Sequence, residues 1–184
     1  PKGVVIPHKG VINTILDINR RFSVGETDRT LGLSNLNFDL SVYDIFGMLV
    51  CGGAVVTLQE EDRRNPEKWM VLMEKFHVTV WNSVPAFMQM MMEYLKGDTD
   101  GSLLELKLVL LSGDRIPCEL PNEIRNYAAQ IQVVGLGGAT EASIWSNYFI
   151  ADKVSLDWGI VPYGYPLTNQ KYYVLNEVLQ DCPD

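Results

Sequence analysis

"VTVWNSVP" (Val78–Pro85) and "LKLVLLSG" (Leu106–Gly113) decide the fold of this chain. Each is a short, nearly unbroken apolar run that ends in small polar residues and a turn former. A strand that alternates apolar and polar residues covers one face of a core, whereas an unbroken apolar strand is buried on both faces. Between the two runs lies a methionine-rich stretch beginning at Pro85, long enough for a helix. Buried strands separated by helices imply a mostly parallel sheet with helices on both sides.

The same alternation continues outward. "TLGLSN" (Thr30–Asn35) reads as a strand, followed by a helix across "LSVYDIFGMLVCG" (Leu40–Gly52). "GAVVTL" (Gly53–Leu58) is a further strand, and the charged "EEDRRNP" leads into a helix near Glu67–Phe76. After Gly113 come a helix near Glu119–Ala128, a strand at "IQVVGLG" (Ile131–Gly137) and a closing strand at "KYYVLN" (Lys171–Asn176). "KGDTDGS" (Lys96–Ser102) is a polar loop. No repeat, low-complexity segment or linker divides the chain. The class is α/β, with a mostly parallel sheet flanked by helices.

Composition narrows the functions available. The 184 residues suffice for one real core. A net charge of −8 argues against nucleic acid or an acidic membrane as partner, since both demand clustered Lys and Arg. No apolar run approaches the roughly 20 residues of a membrane span, and no signal peptide opens the chain. The three cysteines, Cys51, Cys118 and Cys182, are scattered without metal-type spacing, which reads as reduced thiols in the cytosol.

In open α/β sheets, ligands gather at the carboxyl ends of the strands. Three strands here end in "NSVP", "SGD" and "GGATE", so these turns are expected side by side around a pocket. Gly137 and Gly138 allow close approach of a ligand to the backbone. Thr140 offers a donor to a phosphate oxygen, and Glu141 is a hard oxygen ligand suited to Mg²⁺. The same segment also fits a plain strand-to-loop turn capped by Thr140. Asp39 and Tyr43 are four residues apart, on one face of a helix near its start. Asp39 reads either as a helix cap or as the anchor of a substrate ammonium. Ser112, Gly113 and Asp114 add a hydroxyl and a close-approach glycine. His8 and His77 have no partner spaced for a triad, and Trp69, Phe76 and Met88–Met92 read as helix packing.

Four motifs in this order, "PKGVVIPH" (Pro1–His8), "FDLSVYDIF" (Phe38–Phe46), "LLSGDRIP" (Leu110–Pro117) and "GGATEASIW" (Gly137–Trp145), resemble the adenylation domains of nonribosomal peptide synthetases. Those enzymes belong to the superfamily of acyl-CoA synthetases and firefly luciferase. The resemblance runs the length of the chain. It implies the large N-terminal subdomain of an adenylate-forming enzyme, which joins a carboxylic acid to AMP with Mg·ATP and passes the acyl group to a thiol. It assigns Thr140 to the α-phosphate and Glu141 to Mg²⁺. Gly137, Gly138 and Ala139, with Ser112, Gly113 and Asp114, border the adenine. Relatives usually read "YGPTE" where this chain has Gly137 and Ala139, which weakens an assignment of adenine stacking to this segment.

The resemblance further implies that Asp39 holds an α-amino group. The pocket positions Asp39, Leu40, Tyr43, Asn82, Leu110, Ser112, Leu136, Ile144 and Trp145 are similar to the signature for L-cysteine, found in modules that cyclise cysteine to a thiazoline. Implied partners are the amino acid, a carrier domain bearing phosphopantetheine, and condensation or cyclisation domains, all cytoplasmic. The chain opens inside "PKG" and stops after a strand-like run, so residues 1–184 read as an internal fragment. On this reading the start of the phosphate loop, the ribose-binding segment and the C-terminal subdomain with its catalytic lysine lie outside it, and the isolated piece is expected to have little activity. The alternatives are activation of a different amino acid or a non-catalytic binding scaffold. An unrelated nucleotide-binding domain is disfavoured by the lack of G-x-x-x-x-G-K-[ST] or G-x-G-x-x-G.

Overall fold

The computed structural model describes residues 3–96 and 105–182. The loop expected at Lys96–Ser102 lies, beyond Lys96, outside the described residues. Helix α1 (His8–Arg21) follows Pro7 and carries Arg20 and Arg21 in its last turn, where cations suit the helix dipole. Strands β1 (Arg29–Gly32), β2 (Ala54–Thr57), β3 (Val80–Ser83), β4 (Leu108–Leu111) and β5 (Gln132–Gly137) are the parallel part of the sheet. Every residue of β3 and β4 is buried, including the polar Asn82 and Ser83 at the end of β3.

Helix α4 (Pro66–Phe76) is started by Asn65, whose side chain accepts from the Lys68 amide, and by Pro66 in the first turn. His77, left-handed at φ +53°, ends it. Helices α5 (Pro85–Lys96) and α6 (Leu120–Tyr127) follow β3 and β4.

With β6 at Asn147–Ile150 and β7 at Tyr165–Pro166, the sheet order is β2-β1-β3-β4-β5-β6-β7. Because β1 sits between β2 and β3, the sheet grows first one way and then the other. The three motif-bearing strands β3, β4 and β5 are consecutive and parallel, with Asn82 level with Leu110 and Leu110 level with Val134. Alternation within each strand divides the core. Trp81, Val109, Leu111 and Val133 face one layer with Trp69, Met88, Met91 and Ile124. Val80, Leu108, Leu110 and Val134 face the other with Ile15, Ile18, Leu40, Tyr43 and Trp145. Each fully buried large apolar side chain contributes roughly 1.5–3 kcal/mol relative to exposure. Trp69 stacks edge-on to Trp81 at 5.8 Å, which fixes α4 to the sheet.

Four local expectations are corrected. The helix across "LSVYDIFGMLVCG" is not uniform: α2 (Leu40–Val42) passes into a π-turn at Tyr43–Gly47 before α3 (Met48–Val50). The first strand ends at Gly32, short of Asn35. Phe76 is 39% exposed, with Lys75 over its ring, so unlike Trp69 it is not core packing. "KYYVLN" forms no strand beyond an isolated bridge between Leu175 and Asp181. Beyond β5 the sheet is continued instead by β6 (Asn147–Ile150) and β7 (Tyr165–Pro166), both antiparallel. Tyr173 and Val174 remain exposed while the Tyr172 hydroxyl bonds Asn147.

Candidate functional site

At the start of α2, Asp39 uses no oxygen to cap the helix. Its Oδ2 accepts instead from Thr140 Oγ1 at 2.7 Å, across 101 residues of sequence. The two polar groups read separately from the second and fourth motifs are therefore in direct contact. Thr140 and Glu141 stand in a single 3₁₀ turn (Thr140–Ala142) after β5.

Behind Asp39 the other positions expected to line the pocket form one packed, buried group on the α1 side of the sheet. Leu40, Tyr43, Leu110, Leu136, Ile144 and Trp145 belong to one buried cluster. Tyr43 and Trp145 lie with ring centroids 5.0 Å apart. The Trp145 indole donates to Ser112 Oγ at 2.9 Å, so the end of β4 holds the ring after β5. Tyr43 donates to Asn19 Oδ1 at 2.9 Å, and Asn19 donates to the Gly47 carbonyl at 2.6 Å inside the π-turn. Burial lifts the Tyr43 phenol well above its ordinary value, so it stays protonated.

Asn82 Nδ2 donates to Asp44 Oδ1 at 2.8 Å and more weakly to the Leu40 carbonyl at 3.3 Å. Asp44 is 1% exposed, and its Oδ2, like Asn82 Oδ1, has no partner among the described residues. Burial pushes the Asp44 carboxyl up to about 7, against the opposing pull of hydrogen bonds from Asn82 and the Ser34 backbone.

The turn that presents Ile144 and Trp145 is strained. Ser143 and Ile144 are consecutive left-handed residues, at φ +65° and +73°. Helix α1 holds it: Thr14 donates to the Ser143 carbonyl at 3.0 Å, and the Ser143 hydroxyl fills the space a side chain on Gly10 would need.

A second group faces the far side of β5. Gly113, Asp114, Gly137 and Gly138 line a cavity of about 520 Å³ at the carboxyl ends of β4 and β5. Ala139 lies in an adjoining hollow of about 300 Å³. Gly113 is left-handed at φ +83°, and Asp114 turns its carboxylate back on the Arg115 amide at 2.7 Å. β5 thus separates the two groups, and its exit loop serves both.

Glu141 is exposed, and no group of three or more His, Cys, Asp or Glu suited to a metal occurs among the described residues. One free carboxylate fits Mg²⁺, which takes one or two protein oxygens and completes its shell with phosphate and water. It does not fit a closed protein cage.

The residues that support the site, Gly10, Thr14, Asn19 and Asp44, were not singled out in the sequence. Asn19 and Thr14 look like ordinary polar positions of an amphipathic helix; only contacts 24 and 129 residues away reveal them. Asp44 carried the one available signal, a carboxylate inside an apolar helical run. The three cysteines are free, and no helix among the described residues is long and apolar enough to cross a membrane.

The whole chain, residues 1–184, matches the AMP-binding enzyme family, and it belongs to that family. It is 50% identical over 184 residues to the anguibactin system regulator of Vibrio anguillarum, covering all of this chain and 18% of that protein. It is 49% identical to bacitracin synthase 1 of Bacillus licheniformis, again over the whole chain but 3% of the relative. The fold superposes on the nonribosomal peptide synthetase FmoA3 in its α-methyl-L-serine-AMP-bound form with a TM-score of 0.94 at 43% identity, covering 100% of this chain and 21% of that one. The chain thus spans less than a fifth of these two curated relatives.

Proposed function

We propose that this chain is the amino-acid- and nucleotide-binding part of an adenylation enzyme of nonribosomal peptide synthesis, and that its substrate is L-cysteine. The observation that carries the reading is the 2.7 Å hydrogen bond between Asp39 and Thr140. In an α-amino acid, ammonium and carboxylate are separated by a single carbon. An ammonium paired with Asp39 therefore delivers its carboxylate beside Thr140, where the α-phosphate of ATP is expected. A carboxylate oxygen attacks the α-phosphorus, the bond to the bridging oxygen breaks, and pyrophosphate leaves with the electron pair. Thr140 releases Asp39 and donates to the phosphate oxygen, while Asp39 keeps the amine in line. Mg²⁺ at Glu141, with phosphate and water oxygens, would supply charge neutralisation at the phosphates.

Leu40, Leu110, Leu136 and Ile144 are the apolar walls, Tyr43 and Trp145 limit the volume, and Asn82 and Ser112 supply the polar contacts for a thiol. A solved relative bound to α-methyl-L-serine-AMP supports a small amino acid of this shape. The acyl group then passes to the phosphopantetheine thiol of a carrier domain and on to condensation or cyclisation domains in the cytoplasm.

Amino-acid-dependent exchange of labelled pyrophosphate into ATP by the full-length protein tests this reading. Cysteine should give the largest signal; parity with leucine or serine refutes the cysteine assignment. Asp39→Ala should lower exchange by about two to nearly four orders of magnitude, the roughly 3–5 kcal/mol of removing one partner of a charge pair that the bound substrate would bury. ATP binding should change less than about threefold. Loss of both would make Asp39 a structural residue.

A further inference from the structure

Gly137 stands where relatives carry the aromatic of "YGPTE", and in this chain the space for a side chain there is already filled. A first side-chain carbon on Gly137 would lie 2.7 Å from Asn147 Oδ1 and 2.7 Å from Tyr163 Cε1. Two residues from elsewhere in the chain occupy the space the motif leaves empty. Gly135, two positions earlier and hence on the same face of β5, is likewise covered, by Ile116 at 3.0 Å and Val161 at 3.3 Å. Asn147 is the antiparallel register partner of Gly137, so its side chain emerges on that face too. Asn147 and Tyr163 both line the cavity of about 520 Å³ that also carries Gly113 and Asp114.

The two residues are built differently. Tyr163 is 75% exposed, yet the backbone beneath it is pinned. The Val161 amide donates to the Ile116 carbonyl at 2.9 Å, and Gly164 is left-handed at φ +77° with the Tyr148 carbonyl where its side chain would be. Asn147 is 1% exposed. Its Nδ2 donates to the Tyr172 hydroxyl at 3.0 Å, and that hydroxyl is also hydrogen-bonded to Ser146. Its Oδ1 is buried and has no partner among the described residues. A buried acceptor left without a donor costs free energy until a donor arrives.

We propose that Tyr163 and Asn147 clamp the nucleobase of ATP: the Tyr163 ring stacks on the purine, and Asn147 Oδ1 accepts from the exocyclic 6-amino group. The assignment rests on the reading of this chain as an ATP-using adenylation enzyme. The chemistry selects adenine over purines that carry an oxygen at position 6, because two acceptors facing each other repel. Stacking responds to any flat base, whereas the Asn147 contact responds only to a donor at position 6. The two halves of the clamp therefore leave different signatures.

Calorimetric titration of the full-length protein with ATP and with inosine triphosphate separates them. Wild type should bind ATP at least about tenfold more tightly than inosine triphosphate. Tyr163→Ala should weaken both by roughly 5- to 150-fold, while Tyr163→Phe keeps both within about threefold. Tyr163 is exposed, so these variants leave the core intact. Asn147→Ala should weaken ATP alone and bring the two nucleotides to parity. Unchanged ATP affinity in Tyr163→Ala overturns the stacking half. Equal loss of both nucleotides in Asn147→Ala, or parity in the wild type, overturns the hydrogen-bonding half; the wild-type comparison stands even if Asn147→Ala does not fold. A wild type that binds neither nucleotide overturns the adenylation reading itself.

Discussion

Replacing Asp44 by asparagine should change the pH dependence of stability. In the folded chain Asp44 is 1% exposed and its carboxyl is raised from 3.8 to about 7. Between those values the unfolded chain gives up a proton that the folded chain retains, so stability falls as pH rises. The contribution is fully present below about pH 4 and lost above about pH 7. A shift of this size corresponds to roughly 4 kcal/mol, with a slope of at most about 1.4 kcal/mol per pH unit. Asparagine stays neutral, and its carbonyl can still accept from Asn82. Asp17 and Asp28 act in the opposite sense. Burial raises both, but hydrogen bonds from Thr168 and Arg21, and from Lys107 and Thr79, outweigh it and hold them low. Their contributions are present above about pH 4 and lost below it, equally in both proteins. Urea denaturation of the 184-residue chain, followed by tryptophan fluorescence from pH 4.5 to 8.5, measures the difference. Asp44→Asn should be the more stable at pH 8.5 by a few kcal/mol, and the gap should close towards pH 4.5. Two parallel profiles would refute a buried neutral carboxyl.

Two further substitutions test the scaffold. Lys107 reaches Asp28 Oδ2 at 2.7 Å, and that carboxylate is 3% exposed, so Lys107→Met should lower the unfolding free energy by about 1.5–3 kcal/mol, read as a lower urea midpoint. The lower end is expected because Lys107 itself is 42% exposed, and an unchanged midpoint would refute the pairing. Gly47→Ala should destabilise by about 1–3 kcal/mol although alanine is the better helix former, since the new carbon would lie 2.9 Å from the Tyr43 ring. Displacing that ring should also change the fluorescence of Trp145; a stabilised variant would refute the close packing.

The parallel half of the sheet was legible because short apolar runs, unbroken in β4, alternate with helical stretches and turn formers. The antiparallel edge was not. β6 is short and mixed, and it exists because the chain reverses through Ser143 and Ile144, two left-handed residues without glycine to announce them. "KYYVLN" misled for the converse reason: its apolar composition suits a strand, but the segment pairs with its own continuation, the Cys182 amide donating to the Val174 carbonyl. At the site, motif order brought Asp39, Ser112 and Thr140 into view. Whether Asp39 caps its helix or faces outward depended on a hydroxyl 101 residues away, which no local pattern contains. Asn147 and Tyr163 were invisible for a similar reason, since each answers a glycine on a different strand.

The π-turn at Tyr43–Gly47 makes chain length as critical as chemistry in this helix. Removing any one of its five residues would leave a sequence able to form a regular α-helix, so local energetics would not oppose the deletion. Each residue in such a helix advances the phase by about 100°. The π-turn absorbs one residue, so a regular α-helix over the unshortened sequence would turn everything after it by about that angle and carry buried Met48 away from the core. The irregularity works as a spacer between two gears. Asp39 and Tyr43 mesh with the substrate side, α3 meshes with β2, and the π-turn keeps both engaged.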